Sequence, residues 1–343
     1  MRKLLNTLYI FSDDVYLTLD GENVVARRGG RESGRVPLHT LESISSFAYP
    51  GASPALMAAC AEKGVSLSFF DQRGRFLAPC QGEVCGNVLL RKEQFRASES
   101  SDRSIAIARN FILGKVFNSR WVLERGLRDH RMRVDGERLE SASKALASAL
   151  DAIRGCGSID SLRGIEGDAA STFFSVFDEL ILRDKEFFSF QGRSRRPPMD
   201  AVNAMLSLFY SVLTRDCSSA LSSVGLDPFV GFMHVDRPGR RSLALDLIEE
   251  LRPVMVDRFV TTAINNQVVR RSSFLVRETG EVCLCEEGRK ALFAFCQERK
   301  KTQITHPFLK EKIAWGLVPF VQARLLAMAV RGDLDAYPPF LWK

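Results

Sequence analysis

Short apolar runs rich in β-branched and aromatic residues recur through the first ninety positions, at 8–11, 15–19, 24–27, 41–47, 65–70 and 75–78. Runs of that length and composition predict strands, and Asp20-Gly21 between the second and third predicts a tight hairpin. One helix interrupts the series. Ser53 can cap it, Pro54 fits its first position, residues 55–63 fill its body and Gly64 supplies a left-handed stop. Past residue 95 the period changes. Ser101 or Ser104 opens a long helix with Ile105, Ala108, Ile112 and Val116 on one stripe, and a second helix covers 137–153. Helical spacing persists to about residue 330. Two interruptions stand out: an Arg- and Pro-rich loop at 187–200, and a segment at 274–285 whose Thr279-Gly280 centre suits a small hairpin. The expected architecture is α+β, with an N-terminal β-sandwich domain carrying one helix (1–95) and a larger all-α domain (96–343). There is no internal repeat and no low-complexity tract.

Composition narrows the function classes. In 343 residues, 45% are apolar and 24 are Phe, enough for a substantial core rather than a disordered chain. The net charge is +7, and the basic set comprises 36 Arg and only 12 Lys. Guanidinium groups grip phosphate through paired hydrogen bonds, so this balance favours an anionic partner such as nucleic acid. The first hundred residues hold 12 basic and 11 acidic side chains, which leaves most of the surplus on the helical part. The longest uncharged apolar stretch with helical character, 201–214, is shorter than the ~20 residues of a membrane span. Near the start, Asn6 and Thr7 break the apolar pair Leu4-Leu5, which does not suit a signal peptide. A cytoplasmic protein with no membrane contact is expected. Neither Cys80/Cys85 nor Cys283/Cys285 has zinc-knuckle spacing, so the eight cysteines read as free thiols.

Three segments set ionisable groups among apolar ones. In Gly164-Ile165-Glu166-Gly167-Asp168-Ala169-Ala170, capped by Ser158 or Asp160, Glu166 lies on the face shared by Ala169, Ala170 and Phe173. A carboxylate there needs a partner: either a neighbouring arginine such as Arg163 or a metal ion. Gly167 and the alanines leave room for close approach. In the second segment, His234 sits beside Phe232 and Met233 and is followed by Arg237, Pro238, Gly239, Arg240 and Arg241. It reads either as a satisfied core histidine or as a ligand beside a phosphate-seeking cluster. In the third, Asp246 and Glu249 are three apart on a leucine-rich helix, with Glu250 adjacent. Paired acids flanked by leucines suit a divalent cation that cancels their repulsion. Two carboxylates and an imidazole form an oxygen-rich mixed site for Mg²⁺ or Mn²⁺, with Zn²⁺ also compatible with the imidazole. In an arginine-rich setting such a site points to phosphodiester chemistry.

The three segments, in this order, resemble the CRISPR-associated integrase/endonuclease family of spacer acquisition, the first-numbered of the Cas proteins. The resemblance rests on Gly164 to Ala170, on His234, and on the Arg-x-x-Ser-Leu-Ala-Leu-Asp-x-x-Glu-Glu stretch from Arg240 to Glu250. Asp236-Arg237-Pro238-Gly239 after the histidine looks closest to the type I-C form. The resemblance implies that Glu166, His234 and Glu249 ligate the metal, with Asp246 supporting the site or serving a second ion. It implies a homodimer joined through the β domains and a helical catalytic domain. Its implied partners are a small ferredoxin-like protein, the second-numbered Cas protein, and double-stranded DNA as prespacer and CRISPR repeat. The implied reaction is attack of a prespacer 3′-hydroxyl on a repeat-boundary phosphodiester. Arg193, Arg195 and Arg196 in the Arg-Pro loop, and Arg237, Arg240 and Arg241 after the histidine, are expected to grip flanking phosphates. The competing expectations are a stand-alone structure-selective DNA nuclease, in which water is the nucleophile, and a non-catalytic DNA-binding scaffold whose acids merely pair with arginines.

Overall fold

The computed structural model describes residues 6–71, 76–80, 88–194 and 197–343. Arg75, Cys85, Arg195, Arg196 and the first five positions, each used in the sequence reading, lie outside them.

The N-terminal region holds two sheets. β2 (Val15–Asp20), β3 (Asn23–Arg28) and β4 (Arg31–Pro37) form an antiparallel meander. Its first turn is the expected hairpin, with Gly21 at φ +56°. β1 (Thr7–Ile10), β5 (Ser43–Ser46), β6 (Ser66–Phe70) and β7 (Phe76–Cys80) form a four-stranded sheet in which β1, β5 and β6 run parallel and β7 antiparallel. The single helix α1 (Pro54–Glu62) makes the β5-to-β6 crossover. Ser53 caps it by accepting the Leu56 N–H, and Gly64 stops it at φ +67°. Leu17 and Val24 of the meander pack with Ile10, Ile44 and Leu67 of the second sheet and with Leu56 and Cys60 of α1. Strand β4 was not foreseen. Its residues Arg-Glu-Ser-Gly-Arg are all exposed, so no apolar alternation marks them; the strand pairs with β3, Arg35 pairs with Asp20 of β2, and only Val36 packs on the core.

Helices then dominate: α2 (Val88–Glu99), α3 (Ser101–His130), α4 (Gly136–Gly155), α5 (Ile159–Ser175), α6 (Ala201–Ser223), α7 (Ser242–Arg252), α8 (Arg258–Asn265), α9 (Glu286–Lys301) and α10 (Val318–Arg331). The helical part begins ahead of residue 95, which lies inside α2. The expected hairpin forms as β8 (Phe274–Val276) and β9 (Val282–Leu284). A second one, β10 (Gln303–Thr305) with β11 (Lys312–Ala314), is too short to leave a periodic signal. The β region joins the helices through rings: Phe11, Phe47 and Phe70 stack in sequence, and Tyr9, Phe11 and Phe47 each meet Phe293 of α9. Of the seven described cysteines, all free, Cys60, Cys156 and Cys217 are buried and the other four half-buried.

Helix α3 is the axis on which the chemistry is assembled. It packs against α4, α5 and α7. Gly114 lets α7 approach, because a Cβ there would stand 2.7 Å from the Glu250 Cβ. Beyond α7 the chain passes through a π-helical turn, Pro253–Asp257, before α8. Proline lacks the N–H that a regular helix would use at that point, and the wider turn carries Asp257 inward against Tyr210.

Candidate metal centre

Glu166 projects from α5, whose first turn is capped by Ser158 accepting the Ser161 N–H. Its protein partner is not Arg163. Lys115, on α3 and only 8% exposed, directs its Nζ to Glu166 Oε1 and lies 2.7 Å from Glu249 Oε2 on α7. One ammonium thus bridges two carboxylates from two helices. Arg252 reaches Glu249 Oε1 at 3.0 Å from the next turn of α7. Arg163 instead pairs with Asp160 at 3.0 Å and donates to the Met233 carbonyl, tying α5 to the loop that carries His234.

That loop is held by Asp246, which has no exposed surface. Its Oδ2 accepts the N–H groups of Phe232 (2.6 Å) and Met233 (3.0 Å), and its Oδ1 accepts the N–H of His234 (3.0 Å). Nδ1 of His234 also meets Oδ1, at 2.6 Å. With four donors around it, Asp246 orients the imidazole rather than offering an oxygen of its own. A ring that donates from Nδ1 keeps its lone pair on Nε2, the arrangement a metal-binding histidine requires. Gly231 makes the tight loop possible, since a Cβ there would stand 2.9 Å from Asp246 Oδ2.

Glu249 and Glu250 are neighbours with opposite surroundings. Burial by itself would raise the pKa of Glu249, but Arg252, Lys115 and His234 together hold it down at about 2. Burial dominates at Glu250 and raises it to about 7, despite hydrogen bonds from the Tyr337 hydroxyl, Gln322 Nε2 (3.0 Å) and the Phe340 N–H (2.8 Å). Glu250 therefore anchors the chain after α10 and takes no part in the pocket.

Among the described residues, no three His, Cys, Asp or Glu side chains lie close enough to enclose a cation as they stand. The Lys115 ammonium fills the space between the two glutamates. The residues nevertheless suit a hard divalent cation. Two carboxylates already converge on one positive centre, and buried Glu249 Oε2 has no hydrogen bond despite its ion pair. His234 points a fixed tautomer from the adjoining loop. Beside Glu166, Gly167 faces open space, so it leaves access rather than serving close helix packing.

The predicted phosphate-gripping arginines are spread out. Arg237 is exposed and Arg240 half-buried on the loop after His234, while Arg241 lies 5.8 Å from the centre of the Phe229 ring. Arg193 turns inward, 2.5 Å from Asn203 Oδ1 and over the Tyr210 ring, which Arg252 also covers. Lys115 was missed by the sequence reading. Its signal was a lysine on the apolar stripe of α3, one turn beyond Ile112.

The fold is one seen in solved structures. A casposase bound to integration product superposes with a TM-score of 0.85 at 22% identity, covering 98% of this chain and 94% of that one. TM1797, a Cas1 protein from Thermotoga maritima, gives 0.79 at 20% identity, covering 95% and 97%. A Cas6-RT-Cas1–Cas2 complex gives 0.81 at 20% identity, covering all of this chain and 36% of that one. The family model described as CRISPR associated protein Cas1 matches residues 8–298. CRISPR-associated endonuclease Cas1 2 of Rhodospirillum rubrum is 49% identical over 347 residues, and Cas1 1 of Chlorobaculum tepidum 46% over 343, each covering both chains completely. The chain belongs to the Cas1 family.

Proposed function

We propose that this protein is a divalent-metal-dependent DNA endonuclease and integrase of CRISPR spacer acquisition, joining prespacer 3′-hydroxyls to repeat DNA by transesterification. The observation that carries the reading is the convergence of Glu166 and Glu249 on one cationic centre, beside a histidine fixed by Asp246. Family membership and relatives named as endonucleases support it.

Glu166, His234 and Glu249 would hold Mg²⁺ or Mn²⁺. When bound, such an ion supplies Lewis-acid polarisation of the phosphodiester and makes a hydroxyl a stronger nucleophile. The chain's own groups do the rest. Asp246 fixes the imidazole, and Arg252 keeps Glu249 ionised at any working pH. Until an ion binds, Lys115 offsets the repulsion between Glu166 and Glu249 from the space the ion would take. One phosphodiester replaces another, so no nucleotide cofactor is consumed. The protein would act as a homodimer joined through its β region, and with Cas2, which accompanies Cas1 in the complex of like fold. Among the described residues no helix is long and apolar enough to cross a membrane.

The test compares donor DNA with free and blocked 3′ ends in Mg²⁺ or Mn²⁺. Integration requires the free hydroxyl, whereas a stand-alone nuclease cleaves with either. Glu166→Ala, His234→Ala and Glu249→Ala should each abolish both reactions and leave DNA binding largely intact. Full activity in all three would reduce the protein to a DNA-binding scaffold.

A further inference from the structure

About ten residues along α3 from Lys115, or roughly 15 Å at the helical rise, a second cationic cluster forms with no acid in it. Arg125 of α3 and Arg258 of α8 both lie over the Trp342 ring, each 4.9 Å from its centre. Trp342 meets Trp315 edge-on at 4.9 Å, and Arg299 of α9 lies over Trp315 at 5.3 Å. Among the described residues, none of the three guanidinium groups has a carboxylate partner. Asp129, whose charge acts on Arg125 and Arg258 without an ion pair to either, is paired with Arg128 at 2.8 Å.

Three donors in this cluster are buried with no acceptor: Arg125 Nη1, Arg258 Nη1 and Trp121 Nε1, the last one turn before Arg125 on α3. Arg125 Nη1 and Arg258 Nη1 are the only buried terminal guanidinium nitrogens without a hydrogen-bond partner among the described residues. Ring contacts offset part of the cost of crowding the charges, but a ring face does not satisfy an in-plane N–H. The crowding registers in the groups themselves. Burial first, and then the charges of Arg125 and Arg299, lower the pKa of Arg258 to about 10. What the cluster lacks is an anion with several acceptor oxygens.

We infer that Arg125, Arg258 and Arg299 form a phosphate site separate from the carboxylate pocket, which holds a backbone phosphate of bound DNA. Guanidinium forks from three helices match a tetrahedral oxyanion, and such a group satisfies several N–H donors at once. The source in DNA follows from placement and rests on the function proposed above. Helix α3 carries both Lys115 and Arg125, so a duplex lying along it with its scissile phosphodiester at the pocket would bring a phosphate about four positions away to the cluster. The site would thereby set the distance between the reacting bond and a fixed point on the strand.

Two measurements on the full-length protein test this. In the first, the salt dependence of duplex binding is compared for the wild type, Arg125→Gln/Arg299→Gln and Arg35→Gln, the last removing a charge from the remote β meander. Loss of one phosphate contact lowers the log–log slope by about one and weakens binding roughly tenfold or more in the double variant only. In the second, inorganic phosphate is titrated while Tm is followed. It raises Tm in the wild type and not in the double variant, whose Tm without phosphate checks that it folds. Arg258→Lys, which keeps the charge but not the fork, should show an intermediate response. An unchanged slope with a phosphate-dependent Tm would overturn the DNA source and leave a free-phosphate site. No response in either measurement would overturn the site and leave the arginines as a cap on the tryptophans. If the wild type bound no DNA, the proposed function would fail while the phosphate titration still decided the site.

Discussion

Glu249 and Glu250 differ by one position on α7, are both buried, and are driven apart by their neighbours. Glu249 faces Lys115, Arg252 and His234 and stays ionised down to about pH 2. Glu250 faces a hydroxyl, an amide and a backbone N–H and holds a proton until about pH 7. Burial penalises the charged form equally in kind at both. Only formal positive charge reverses it, while neutral donors soften it. A helix can therefore place a charge for chemistry and a neutral acid for architecture side by side, and the lesson is open to direct attack.

The largest effect is expected from Glu249→Gln. Removing that charge should cut endonuclease and integration rates by at least about a hundredfold. Glu250→Gln should change them far less, and comparable losses in the two variants would erase the distinction. Next comes Asp246→Asn, which disturbs the imidazole's tautomer without touching a proposed ligand. Activity and Mn²⁺ affinity should fall roughly tenfold to a hundredfold, read by metal titration of the cleavage rate.

The third test uses pH. Glu250 has its folded-state pKa above the ordinary 4.5, and Asp257, raised mainly by burial to about 6, behaves alike. As pH rises, the unfolded chain releases these protons first, so their contribution is full below about 4.5 and is lost as pH passes through about 6 to 7. Glu249 has the opposite sign, and its contribution is lost only as pH falls toward about 2. Chemical denaturation should thus show stability declining between about pH 5 and 8, on the order of 3 kcal/mol for Glu250. Glu250→Gln should flatten that decline, and an unaltered profile would refute the assignment. The smallest effect is expected from Lys115→Met. With the ammonium gone, the glutamates repel, so Tm without metal should drop by a few degrees. Added Mn²⁺ should then raise Tm more than it does in the wild type, because the ion no longer competes with a resident cation. An equal response in both would show that Lys115 does not occupy the cation's place.

Much of this molecule was legible beforehand. Helix α1 could be read to within one residue, ending at Glu62 rather than Lys63, because Ser53, Pro54 and Gly64 each act on the turn beside them. The β2–β3 hairpin and the long helices were readable for the same reason. Strand β4 was hidden because an exposed edge strand has no apolar face to reveal it. In the pocket, spacing singled out Glu166, His234, Asp246 and Glu249, but for Glu166 it offered only Arg163, one turn away, or a metal ion, and could not show Lys115, which meets it from 51 residues away. Spacing also treated Asp246 and Glu249 as like members of one acidic face. The structure turns the first toward backbone donors and the second toward cations.

The chain's order of residues settled the local matters: where helices start and stop, that the helical part carries the excess positive charge, and which ionisable groups sit where an apolar surface makes them costly. It could not settle how those costs are met. A buried charge is stabilised by whatever lies within a few ångströms, and those neighbours come from other helices. The close packing of α3, α5 and α7 decided which acid stays charged and which stays neutral, and the meeting of α3, α8 and α9 at Trp315 and Trp342 gathered three arginines with no carboxylate partner among the described residues.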